Sequence, residues 1–127
     1  MIIYRVENER GMGPYSGEFA TYDEVGLPFK GSPKHPAPYD DGLSDPRLVD
    51  RFGFRDLLQL VDWFDLWLDG LESAGFRVVR INTWKRYVIF GNKQLMFEER
   101  EQVREIVPWS TVRGALLVVP PQQEKES

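Results

Sequence analysis

The chain contains no cysteine, which excludes disulfide staples, thiolate nucleophiles and every cysteine-ligated zinc site. Histidine is almost as scarce. With His35 alone, no histidine cluster can hold a metal, and a serine–histidine pair would have to use that one residue. His35 precedes Pro36 in a proline-rich stretch, a poor place to pre-organise a base. No apolar run approaches the ~20 residues that span a bilayer, and the opening residues turn polar too quickly for a secretion signal. There is no basic excess either: 16 Lys and Arg against 20 Asp and Glu leave a net charge of −4. That argues against a general binder of nucleic acid or anionic membrane. Gly11-Met12-Gly13-Pro14 lacks both the motif and the following helix of a phosphate-binding loop. A cytosolic setting suits a cysteine-free chain, so a cytoplasmic location is expected.

What is present suits one domain. A chain of 127 residues, 42% hydrophobic and 13% aromatic, can bury its own core without a staple. Residues 1–119 are expected to form a single α+β domain, and residues 120–127 a disordered tail. Residues 1–6, rich in β-branched and aromatic types, predict a first strand. Residues 18–25 fit either a short strand or a helical turn. Residues 26–44 carry Pro28, Pro33, Pro36 and Pro38 and predict a long irregular loop. Asp45-Pro46 offers a cap and a first helical position for a short turn through Asp50.

The main helix is predicted over residues 56–74. Leu57, Leu60, Val61, Phe64, Leu68 and Leu71 recur at helical spacing, Asp56 caps the start and Gly75 closes the end. Gly70 weakens its second half and is a place to split or bend it. Residues 76–81 and 86–90 then read as strands, and Gly91-Asn92 as a hairpin turn into residues 93–97, together an antiparallel meander. Residues 98–106 read as a polar helix stopped by Pro108, and residues 115–119 as a last strand. The expected fold is α+β: an antiparallel sheet of four to five strands with one main amphipathic helix packed on a face.

Three surfaces are candidates for function. Asp62, Asp65, Asp69 and Glu72 draw an acidic stripe along the main helix, either a solvated face or a surface for a basic partner. Trp63 and Trp67 sit at the edge of the apolar stripe, where a half-exposed pair would anchor a protein partner and a buried pair would widen the core. Arg77, Arg80, Lys85 and Arg86 interleave with Trp84, Tyr87 and Phe90, a mixture that suits single-stranded nucleic acid, although strand aromatics also serve as ordinary packing. Asp40-Asp41 with Asp45 offers oxygens for a hard cation, but adjacent carboxylates before Gly42 more often make a turn, and no metal is expected.

Two resemblances add to this. Tyr4-Arg5 on the first strand, Phe52-Gly53-Phe54 before the helix and Glu99-Arg100-Glu101 resemble ADP-ribosyltransferases. That resemblance implies NAD as cofactor, gripped by Arg5 and oriented by Glu99 or Glu101. Arg55 stands where that family has serine, which leaves an active and a degenerate version open. The run from Tyr4 to Glu7, the Gly13-Pro14-Tyr15 turn, Trp63-Phe64 and the run from Lys93 to Phe97 resemble small phage and prophage proteins. That implies a phage-encoded accessory protein acting in the host cytoplasm, where it binds and inhibits a host defence or metabolic protein. The favoured expectation is a non-enzymatic protein-binding module with no catalytic residues and no cofactor. Its contacts would come from Trp63, Trp67 and the acidic stripe.

Overall fold

The computed structural model describes residues 1–15, 35–36 and 38–118. The expectations for residues 18–25, for much of the proline-rich loop and for the 120–127 tail lie outside them. The fold is α+β, as its composition and periodicity suggested. Strands β1 (Ile2–Glu7), β3 (Arg77–Asn82) and β6 (Val103–Val107) form one sheet in the order β1-β3-β6. Strands β2 (Asp50–Gly53), β4 (Val88–Phe90) and β5 (Leu95–Glu98) form a second, in the order β2-β5-β4. Every pairing is antiparallel.

A lone bridge between Tyr4 and Phe54, with backbone bonds of 2.8 and 2.7 Å, joins the two sheets. The strands thus run as one folded ribbon, β6-β3-β1-β2-β5-β4. Gly53 permits this join, because a Cβ there would lie 2.7 Å from the Tyr4 carbonyl oxygen.

The first sheet is the middle layer. Val6, Val78 and Val107 share one face and pack on the helices through Leu60, Phe64, Leu71 and Val112. Ile3, Val79 and Ile81 share the other face and meet Leu95 and Phe97 of the second sheet. Burial on both faces explains why the adjacent residues Val78 and Val79 of β3 are both apolar and both buried.

The main helix starts and stops where its end signals stand. The Asp56 carboxylate accepts from the Gln59 backbone N–H at 2.7 Å, and the Gln59 side chain accepts from Arg55 N–H at 3.0 Å. At the far end Gly75 takes φ +88°. Phe76 N–H bonds the Leu71 carbonyl at 3.0 Å and Gly75 N–H that of Glu72 at 3.1 Å, the Schellman pattern. Between these ends the helix breaks, into α1 (Leu57–Phe64), a 3-10 turn (Asp65–Trp67) and α2 (Leu68–Ser73). Gly70 lies inside α2, so it does not mark the break. The break begins at Asp65, whose side chain accepts from the next N–H, of Leu66, at 2.8 Å and so competes with the helical bond.

Four local expectations are overturned. Residues 98–106 hold no helix; they end β5, turn and form β6. The polar β6 residues that suggested a helix find cross-strand partners: Glu105 pairs with Arg80 at 3.0 Å and Arg104 with Glu7 at 3.1 Å. Residues 115–118, expected within a last strand, instead end helix α3 (Trp109–Val118), with Val112, Ala115 and Leu116 packed on the core at helical spacing. Asp45-Pro46 starts no helix, and β2 follows instead, with the Asp50 carboxylate tied back to Arg47. The meander is split, because β3 pairs with β1 and β6 whereas β4 and β5 pair within the second sheet.

Candidate functional site

Trp63 is no surface anchor. It is only 2% exposed, its indole N–H donates to the Tyr15 hydroxyl at 3.1 Å, and its ring packs against Phe54 and Phe64. Trp67 is half-buried against the same core. His35, from the proline-rich stretch predicted as an irregular loop, shares in that burial. His35 is 4% exposed and meets both tryptophans edge-on, with centroids 5.1 and 5.6 Å away. Its Nε2 lies 2.7 Å from the Trp63 carbonyl oxygen, so that nitrogen carries the proton and donates.

The acidic stripe is partly spent inside the molecule. Asp69 and Glu72 both accept from Arg113 of α3, each at 2.6 Å, which fastens the two helices. Asp62 and Asp65 are half-buried on the helix flank. Asp41 likewise serves the fold, because its buried carboxylate accepts from Lys93 N–H at 3.0 Å and Gln94 N–H at 3.1 Å and so caps the β4–β5 turn. Among the described residues no three His, Cys, Asp or Glu side chains are placed to hold a metal ion.

Arg5 stands at the buried end of an ionic chain. Its Nε donates to Glu7 at 3.0 Å, and Glu7's other oxygen accepts from Arg104 Nε at 3.1 Å. Arg104 Nη2 in turn meets both oxygens of Glu99, at 2.8 and 2.9 Å. Two further Arg5 bonds go to the carbonyls of Phe52, at 2.7 Å, and Gly11, at 3.3 Å. Burial pulls the Arg5 pKa below its usual value, and Glu7 offsets only part of that. Burial also pulls Arg104 down, but its bond to Glu99 and the charge of Glu7 outweigh it and hold Arg104 above the usual value. The arrangement gives no support to the ADP-ribosyltransferase resemblance. Glu99 is consumed by Arg104, and Glu101 lines a different groove, alongside Trp84.

That second groove is the surface that sequence reasoning assigned only in part. It opens between the end of β3, the 3-10 turn Lys85–Tyr87 and the β5–β6 turn. Gln102 fixes its floor, donating to the Thr83 hydroxyl at 3.1 Å and to the Glu98 carbonyl at 3.0 Å. Trp84 stands over it with 70% of its surface exposed, and Val103 is 69% exposed on the opposite wall. The Arg86 guanidinium lies 5.8 Å from the Trp84 ring centre and 5.1 Å from that of Tyr87, and Arg100 covers Tyr87 at 4.8 Å. Arg100 also pairs with Glu98.

Of the residues singled out in this basic hairpin, Trp84, Lys85 and Arg86 therefore sit together, and all three are exposed. Arg80 is spent on Glu105, and Arg77 lies at the other end of β3. Tyr87 was already grouped with Trp84 in the sequence, whereas Arg100, which covers the Tyr87 ring, was missed. The only sequence signal for Arg100 was its cationic type, and the β5–β6 turn brings it to Tyr87.

Compared with known families, residues 1–110 match the model of the bacteriophage T4 Y00F protein. The match covers most of the chain, which therefore belongs to that family. No curated protein matches, and no solved structure matches.

Proposed function

We propose that this member of the bacteriophage T4 Y00F family is a protein-binding module that engages a host protein through the Trp84 groove and inhibits it by covering its surface. One observation carries the reading: an indole 70% exposed on a framed groove, beside Arg86, Tyr87 and Arg100. Trp, Tyr and Arg are the residue types that dominate interface energetics, and burying an exposed indole against a partner recovers its apolar area. Lys85, Arg86 and Arg100 favour a partner patch that is apolar at its centre and acidic around it.

The test is capture from nuclease-treated host lysate, with wild type compared against Trp84→Ala and Arg100→Glu. A host protein recovered in stoichiometric amount with wild type, and reduced roughly 30-fold or more in affinity by Trp84→Ala, is the expected result. A partner held equally by all three proteins would defeat the assignment of this face. Single-stranded nucleic acid is the second reading, favoured by Lys85 and Arg86 flanking an exposed stacking ring. Retention that depends on Trp84 and disappears on nuclease treatment would select it.

A further inference from the structure

A separate cleft of about 480 Å³ opens between β1, the 8–15 loop, β2 and α1. Its size is that of a small-molecule site. Its walls are mainly apolar, with Phe52, Phe54, Trp63 and Phe64 among them, and Arg5 and Arg51 are its cationic residues. We propose that this cleft binds a small aromatic anion, with its ring against the phenylalanines and Trp63 and its carboxylate or phosphate held by Arg5 and Arg51.

The charge balance around the cleft supports an anion. Arg5, Glu7, Arg104 and Glu99 form a chain of two cations and two carboxylates, which is neutral as a unit. Asp50 also lines the cleft, but both its oxygens are occupied by Arg47, at 2.8 to 3.2 Å. Arg51 is left over. Its guanidinium bonds only the carbonyl oxygens of Leu48, at 2.7 Å, and Asp50, at 3.1 Å, and among the described residues it forms no ion pair. Its charge acts on Arg5, contributing to the depression of the Arg5 pKa. A ligand anion between the two guanidiniums would relieve that repulsion.

The hydrogen-bond count agrees. Arg5 is 5% exposed and lines the cleft, and three of its N–H groups are bonded. A guanidinium has five, so two have no acceptor among the described residues and can serve a ligand oxygen. The loop that frames Arg5 is already set: Asn8 accepts from Arg10 N–H at 2.9 Å and from Met12 N–H at 3.0 Å. A Cβ on Gly13 would lie 3.2 Å from Arg5 Nη2, so the glycine lets the loop lie close over the guanidinium. One surplus positive charge favours a singly charged anionic group over a polyphosphate.

The test uses the full chain and three probes of one shape: naphthoate, naphthyl phosphate and the neutral naphthamide. Binding is followed by NMR at the Trp63 indole N–H and the Met12 and Phe52 amides. Naphthoate or naphthyl phosphate should shift these signals saturably, with a Kd of about 1 mM or tighter. Naphthamide should bind at least roughly tenfold more weakly. Arg51→Ala should weaken the charged probes about tenfold and leave the amide unchanged. Trp84→Ala should change none of this, which separates the cleft from the Trp84 groove. The stronger of the two charged probes identifies carboxylate or phosphate as the group recognised. Equal binding of amide and anions, no shift at about 10 mM probe, or shifts centred on Trp84 would each overturn the proposal.

Discussion

Glu7→Gln should be among the most damaging single-atom changes in the protein. Glu7 is 5% exposed and serves two guanidiniums at once, accepting from Arg5 at 3.0 Å and from Arg104 at 3.1 Å. A glutamine keeps one acceptor oxygen but turns an N–H₂ donor toward the second guanidinium. It also removes the charge that neutralises Arg5, which is itself 5% exposed. Stripping the partner from a buried ion pair costs about 3–5 kcal/mol. Arg104 can turn toward solvent and Glu99, so the lower end, about 3 kcal/mol, is expected. For a domain of this size that is a fall in Tm of about 10 °C.

Two comparisons make the reasoning testable by chemical denaturation. Glu99→Gln should cost under about 1 kcal/mol, because that carboxyl is 34% exposed and Arg104 keeps Glu7. Adding Arg5→Met to Glu7→Gln should recover part of the loss, since it removes the stranded charge. If Glu7→Gln stays within about 0.5 kcal/mol of wild type, or Glu99→Gln costs as much, Glu7 is not the keystone described here.

Asp50 is bonded by the Arg47 side chain, which holds its carboxyl below the usual value of 3.8. Its stabilising contribution is therefore present at neutral pH and fades as pH falls from that value through the lower folded one. In acid titrations of stability the gap between wild type and Asp50→Asn should be widest near neutrality and close in strong acid; a constant gap would contradict this. Gly91→Ala should cost about 1–3 kcal/mol by urea unfolding, because its Cβ would lie 2.8 Å from the Asp41 carbonyl oxygen and 2.9 Å from that of Gln94. Trp84→Ala should shift stability by no more than about 0.5 kcal/mol while abolishing partner capture; a large loss of stability would make Trp84 structural.

The elements that could be read in advance are those specified by neighbours in sequence. The Asp56 cap and the Gly75 end are local: a side chain and a backbone a few residues away decide them, so they survive in the fold. The hairpin turn after Gly91, by contrast, is also capped from afar by Asp41. The six-residue apolar pattern of the main helix is equally local, and it buried the predicted face. The break at residues 65–67 was not legible, because Asp65 competes with the helix only through a side-chain rotamer that spacing does not show.

Tertiary structure decided everything that depended on a distant partner. Residues 98–106 are polar enough for a surface helix until Glu7 pairs with Arg104 and Arg80 with Glu105, which stabilises an edge strand. Residues 115–118 are apolar enough for a strand until Val112, one turn earlier, finds the core and fixes a helical period. Trp63 was placed at a helix edge correctly, but His35, twenty-eight positions away, covers it. The exposed aromatic that replaces it as the candidate anchor, Trp84, has Tyr87 beside it locally and gains Arg100 only when the β5–β6 turn folds beside β3. Sequence alone thus fixed the ends, periods and residue types. The assignment of faces, partners and sites required the long-range contacts, because burial and ion pairing are properties of neighbours in space.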